Sequence, residues 1–96
     1  MVIKIEKKFL IFREEAKKIE KEIKKKLKKV NFIWLDFSNV EFISRSFFDE
    51  LVNIMAREKR IKILNLKPDL KKFFNKVKKT KQEIFLFAKN NAKKQK

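Results

Sequence analysis

The 96-residue chain has no Cys, no His, no Tyr, no Gly and a single Pro. Lacking Cys and His, it has no thiol nucleophile, no imidazole base, no disulfide and no zinc site of ordinary ligand type. Lacking Gly, it has no glycine-built cradle for phosphate. Side-chain hydroxyls are confined to Ser38, Ser44, Ser46 and Thr80, and no Ser has a candidate base at a recognisable spacing. Long apolar runs are missing as well: "FLIF" and "IFLFA" fall far short of the roughly 20 residues that cross a bilayer, and no signal-peptide pattern opens the chain. These absences lead us to expect a cytoplasmic, non-enzymatic protein with no metal, no cofactor and no membrane partner. An enzyme built on carboxylates or lysines would need convergent perturbed groups in a pocket, and no such grouping stands out.

What is abundant is lysine. The net charge is +16, of which residues 13–30 carry +5, residues 67–81 carry +6 and residues 89–96 carry +4. Residues 31–66 hold five basic and five acidic side chains and are neutral. Clustered lysines would suit nucleic acid, since they neutralise phosphates and release counterions, so a nucleic-acid binder using the lysine-rich helices and tail is the alternative function. Only four of the 28 basic residues are Arg, however, and no stacking aromatic interleaves the lysine runs. Composition offers a blander source for the charge. Lys, Ile, Phe and Asn, whose codons can be written in A and T alone, make up 53 of the 96 residues. Richness in Lys and Glu without Cys also fits a heat-adapted protein.

Periodicity predicts an alternating α/β order. "VIKIEK" alternates as a strand through Ile5, and "FLIF" either extends it or folds back on it as a short hairpin. From Arg13 to Lys29 the residues Ala16, Ile19, Ile23 and Leu27 recur at helical spacing. Glu14–Lys18, Glu20–Lys24 and Glu22–Lys26 fall at i,i+4 in the favourable order. "NFIWLDF" (31–37) is so continuously apolar that it reads as a central strand covered on both faces. A short apolar connection, "VEFIS", leads to a second helix from Ser46 to about Lys59 that buries Phe48, Leu51, Val52 and Met55. "IKILNL" (61–66) reads as a strand, a third helix follows Pro68, and "EIFLFA" (83–88) reads as a last strand. Residues 1–88 are then one domain and the basic tail, 89–96, is mobile.

The stretch "IWLDFSNVEFISRSFFDEL" (33–51) resembles the central strand, loop and helix start of STAS domains, the fold of sulphate-transporter and anti-sigma-factor-antagonist modules. It is closer still to a STAS-like family of uncharacterised function. "FREEAKKI" before it and "IKILNLKPDLKKFFNKV" after it resemble that family's flanking elements, so the likeness runs over about residues 10–78. It implies an α/β fold with a STAS-like sheet of four to five strands and three helices. It also implies a regulatory module acting by protein–protein recognition through the loop and helix start at residues 36–51. In antagonist members a loop serine is phosphorylated by a partner kinase, and Ser46 matches that acceptor by position. The implied partner is a kinase-like ATPase or its target. The chain departs from the antagonist pattern at three places: Ser44 stands where that pattern has Asp, Arg45 replaces the first Ser of a Ser-Ser pair, and Phe47 replaces the following Gly.

The candidate partner-binding residues are therefore Asp36, Ser38, Ser44, Arg45, Ser46, Phe47, Asp49 and Glu50, with Ser46 the candidate phosphoacceptor. A phosphate there would sit beside the free N–H groups of a helix start, with Arg45 to pair it, although Asp49 and Glu50, read as first-turn residues, would repel it. A plainer assignment makes Ser46 an N-cap, with Asp49 completing a variant capping box. Ser44 is the other cap candidate. Ser38 reads as the turn residue after the strand. Asp36 either ends that strand exposed or accepts loop N–H groups, and Arg13 matches an Arg at the start of the family's first helix.

Overall fold

The computed structural model describes the backbone of residues 1–94 and the side chains of residues 1–82. Its elements are β1 (Val2–Lys4), β2 (Phe9–Leu10), α1 (Arg13–Lys26), β3 (Ile33–Asp36), β4 (Phe42–Ile43), α2 (Arg45–Arg57), β5 (Ile61–Leu64) and α3 (Pro68–Lys94). The class is α/β with three helices, but the strands divide into two small sheets in place of one sheet of four to five. β1, β3 and β5 form a parallel sheet in that order, and β2 pairs in parallel with β4. The N-terminal hairpin is not formed. Ile3 pairs with Leu35 of β3, and Phe9 pairs with Phe42 of β4.

Because β1, β3 and β5 follow one another across the sheet in chain order, right-handed crossovers bring the intervening helices to the same face. Ile3, Ile33, Leu35 and Ile61 are buried beneath those helices. α2 is the central helix and buries Phe47, Phe48, Leu51 and Ile54, each worth roughly 2 kcal/mol of transfer free energy. α1 joins it through Ala16 and Ile23. α3 joins it through Phe73 and Phe74, whose rings lie 5.4 and 5.3 Å from that of Phe48. Two of the expected helix pairs are present, Glu20–Lys24 at 3.9 Å and Glu22–Lys26 at 3.7 Å.

The opposite face of the three-stranded sheet carries Val2, Trp34 and Lys62 side by side. Trp34 is 38% exposed and packs on Phe32 at 5.4 Å between centroids. β3 is therefore covered on one face only. Its unbroken apolar run reflects one large ring lying along an open face.

The predicted strand 83–88 is also corrected, because the backbone there belongs to α3. No Gly or Pro follows Pro68, so the chain has no helix terminator between "FFNKVKK" and "EIFLFA". A short apolar run cannot by itself be told from a helical segment. The backbone of the expected tail continues the same helix as far as Lys94, while its side chains and residues 95 and 96 lie outside the description.

Candidate functional site

The helix starts of α1 and α2 meet at the small sheet made by β2 and β4. Leu10 and Ile43 point inward from that pair and are buried, which turns their neighbours Phe9 and Phe42 outward side by side. The chain then passes through Ile11 and Phe12 into α1. Phe9, Phe42 and Phe12 are 56%, 47% and 63% exposed, so three phenyl rings lie open to water at one end of the molecule. None was singled out from the sequence, because "FLIF" and "VEF" are too short to show which face of a strand is covered. Only the pairing of β2 with β4 settles it.

Ser44 holds this junction together. It is the N-cap of α2, and its Oγ accepts the N–H of Phe47 at 3.2 Å while donating to the carbonyl of Ile11. Its own N–H donates to the carbonyl of Leu10 at 2.8 Å. One serine thus satisfies a free donor of α2 and ties that helix to the segment leading into α1. The capping assignment for Ser46 is corrected accordingly. With the cap at Ser44, Ser46 is the second helical residue and lies exposed, and among the described residues its hydroxyl makes no hydrogen bond. Asp49 and Glu50 likewise fall beyond the first turn, which contains no acid.

The other sequence-predicted residues separate into two groups. Arg45 is exposed beside Ser46 and pairs with Asp49 at 3.8 Å. Phe47 is completely buried, in contrast to its expected place on a partner-binding surface: the ring that replaces a glycine of the antagonist pattern fills core space. Glu50 is drawn into a bridge between helices. It forms ion pairs with Arg13 at 3.9 Å and Arg57 at 3.6 Å, and Arg57 reaches on to donate to Glu20 at 3.0 Å. The hydrogen bond to Glu20 raises the Arg57 pKa further. Arg13, at the first position of α1, thereby stands within reach of α2.

Asp36 and Ser38 lie on the three-stranded sheet's side of the loop. Asp36 Oδ1 accepts the N–H of Ser38 at 2.9 Å and Nδ2 of Asn65 at 3.2 Å. The Ser38 backbone bond is the main cause that holds the Asp36 carboxyl below its usual range, partial burial opposes it, and Asn65 and Lys4 add to the lowering. Asn65 has a left-handed backbone, φ 59°, which an Asn tolerates better than most residues. Asp36 therefore clasps the ends of β3 and β5 through one carboxylate oxygen. Among the described residues no three acidic side chains converge as a metal centre would need, and no helix is long and apolar enough to cross a membrane.

The exposed set at this end is Phe9, Phe12, Phe42, Arg45 and Ser46, with the starts of two helices behind it. Such an arrangement can bury apolar surface against a partner and hold an anionic group at its rim. No curated protein and no solved structure matches the chain. Residues 15–71, more than half of it, match the family model described as STAS-like domain of unknown function (DUF4325). That span runs from the first turn of α1 to the first turn of α3, so it contains Phe42, Ser44 and Ser46 and leaves Phe9 and Phe12 outside. With β3, β5, the loop and the start of α2 inside the matched span, the chain belongs to this family of STAS-like domains.

Proposed function

We propose that this STAS-like domain is a non-enzymatic regulatory module that binds a protein partner with the end of the molecule formed by β2, β4 and the start of α2. One observation carries the proposal: three phenylalanines, Phe9, Phe12 and Phe42, lie open beside the exposed Arg45 and Ser46. Exposed aromatic clusters with an Arg at the rim have the composition of interface hot spots. The partner would bring an apolar surface edged by acidic groups, matching the rings and the two arginines, Arg13 and Arg45. Belonging to a STAS-like family supports a regulatory role in general terms.

Phosphorylation of Ser46 by a partner kinase, the finer form of this proposal, is supported by the position of the side chain. The hydroxyl is accessible and has no capping duty, so a phosphate could be added without unfolding the first turn. It would lie near the positive end of α2 and next to Arg45, while Asp49, one turn on, would oppose it. The added charge would then compete with the partner's acidic rim for Arg45 and weaken binding. Tagged wild-type protein, a Phe12→Ser/Phe42→Ser variant and a Ser46→Asp variant test both parts when isolated from the protein's own cells. A partner retained by the wild type and lost from the double variant supports recognition at this end, and equal retention by all three contradicts it. Phosphopeptide mapping of the isolated wild type addresses the switch, which is abandoned if Ser46 carries no phosphate under any growth condition.

A further inference from the structure

The edge of the sheet formed by β5 has the features of a second docking site, remote from the three phenylalanines and independent of the function proposed for them. β5 pairs with β3 on one side and, among the described residues, has no strand on the other. The carbonyls of Arg60 and Leu64 accept from Ile33 and Phe37 of the neighbouring strand segment. By the alternation of a strand, the N–H and C=O groups of Ile61 and Ile63 then point to the free edge. Two hollows lie along that edge between β5, α2 and α3, of about 730 Å³ at the start of β5 and about 210 Å³ at its end, with Phe74 lining both. The larger has an apolar floor of Val52, Met55, Ile61 and Phe74.

Charge is distributed unevenly around this cleft. Lys59, Lys62, Lys78 and Lys81 line the larger hollow and Lys71 the smaller, and among the described residues no carboxylate lines either. Lys81 donates to the amide oxygen of Asn53 at 2.9 Å, and Lys78 lies 5.8 Å from the centroid of the Phe74 ring. These are neutral partners, so the positive charge is left uncompensated. Among the described residues none of the five lysines lies within ion-pair distance of an acid, whereas Lys24 and Lys26 of α1 each do. The excess charge of the chain thus gathers in part along an unpaired strand.

We propose that this cleft binds an extended acidic peptide segment of a partner protein as an added strand on β5. The peptide backbone would pair with Ile61 and Ile63. Its alternate apolar side chains would enter the cleft over Phe74, the intervening carboxylates would meet Lys62 on the open face of the sheet, and the lysines of the cleft rim would attract the acidic segment at longer range. Two other occupants fit less well. A nucleic acid offers phosphates to the lysines but nothing to match an alternating row of N–H and C=O groups, and Phe74 is too deeply buried for a base to stack on it. A second copy pairing β5 to β5 would set five lysines against five.

The probe is a fluorescein-labelled peptide of about nine residues alternating Val and Asp, long enough to span β5 at about 3.3 Å per residue. Fluorescence polarisation with the full chain should show saturable binding. A peptide with Lys in place of Asp should not bind, and one N-methylated at alternate amides should bind at least about tenfold more weakly, because the strand hydrogen bonds are lost. Lys71→Glu/Lys78→Glu, changes at two exposed residues that line the hollows, should weaken the Val-Asp peptide by a similar factor, and the Ile61 and Ile63 amides should gain protection from hydrogen exchange in the complex. Absence of binding, or equal affinity for the N-methylated peptide, overturns the proposal. So does preferential binding of an oligo-dT strand that is lost in the same double variant, or a dimer whose formation is what protects Ile61 and Ile63.

Discussion

Two serines two residues apart have separate duties. Ser44 caps α2 through one hydrogen bond and joins it to the segment before α1 through two, while Ser46 makes none among the described residues. Ser44→Ala should therefore destabilise the fold by about 1 to 2 kcal/mol, the loss of a cap together with the bond to Ile11. Ser46→Ala should stay within about 0.5 kcal/mol of the wild type, as surface changes do. Urea unfolding of both variants measures the difference. Asp36 gives a pH signature. Its carboxyl is held below its unfolded value by Ser38 and Asn65, so its contribution is complete above the unfolded pKa of about 3.9 and is lost as pH falls through the folded value. The gap in unfolding midpoint between the wild type and Asp36→Ala should be widest near neutrality and close in acid. A gap that widens in acid would reverse the assignment.

At the scale of elements, α1, α2 and the start of α3 are legible because each carries its own helical period of apolar residues, and β3 and β5 because each is a short apolar run. What escaped was pairing. "FLIF" shows no partner, and its parallel match is to Phe42–Ile43, more than thirty residues later. The outward phenylalanines escaped with it. The cap fell on Ser44 because Ser44, and not Ser46, lies beside the Leu10 and Ile11 carbonyls, a long-range fact. The end of α3 was misread because an apolar run of five residues has no period of its own. Two-residue strands also have little to hold them. The amides of Phe42 and Ser44, bonded to Lys8 and Leu10, should exchange with solvent well before those of Trp34 and Leu35 in the buried sheet. Native-state hydrogen exchange reads this directly, and equal protection would mean that the small sheet is as firmly held as the core.

Across the whole molecule, a neutral middle segment supplies the core and the exposed start of α2, while lysine dominates the flanks. A chain of net charge +16 repels itself. Its melting temperature should rise as salt goes from about 0.01 M to about 0.15 M and the Debye length falls from about 30 to about 8 Å. The three exposed phenylalanines and the lysine-lined edge of β5 lie apart, so a single chain has room for two protein contacts of different chemistry. The claim on which the functional account rests is that the first of these surfaces meets a partner. Photo-crosslinking in the protein's own cells tests it most directly, with benzoylphenylalanine placed at Phe42 in one variant and at Lys21, on the exposed side of α1, in another. A discrete protein adduct from position 42 that is absent from position 21 and abolished by Phe12→Ser is expected. The same adducts from both positions, or none from position 42, would contradict it.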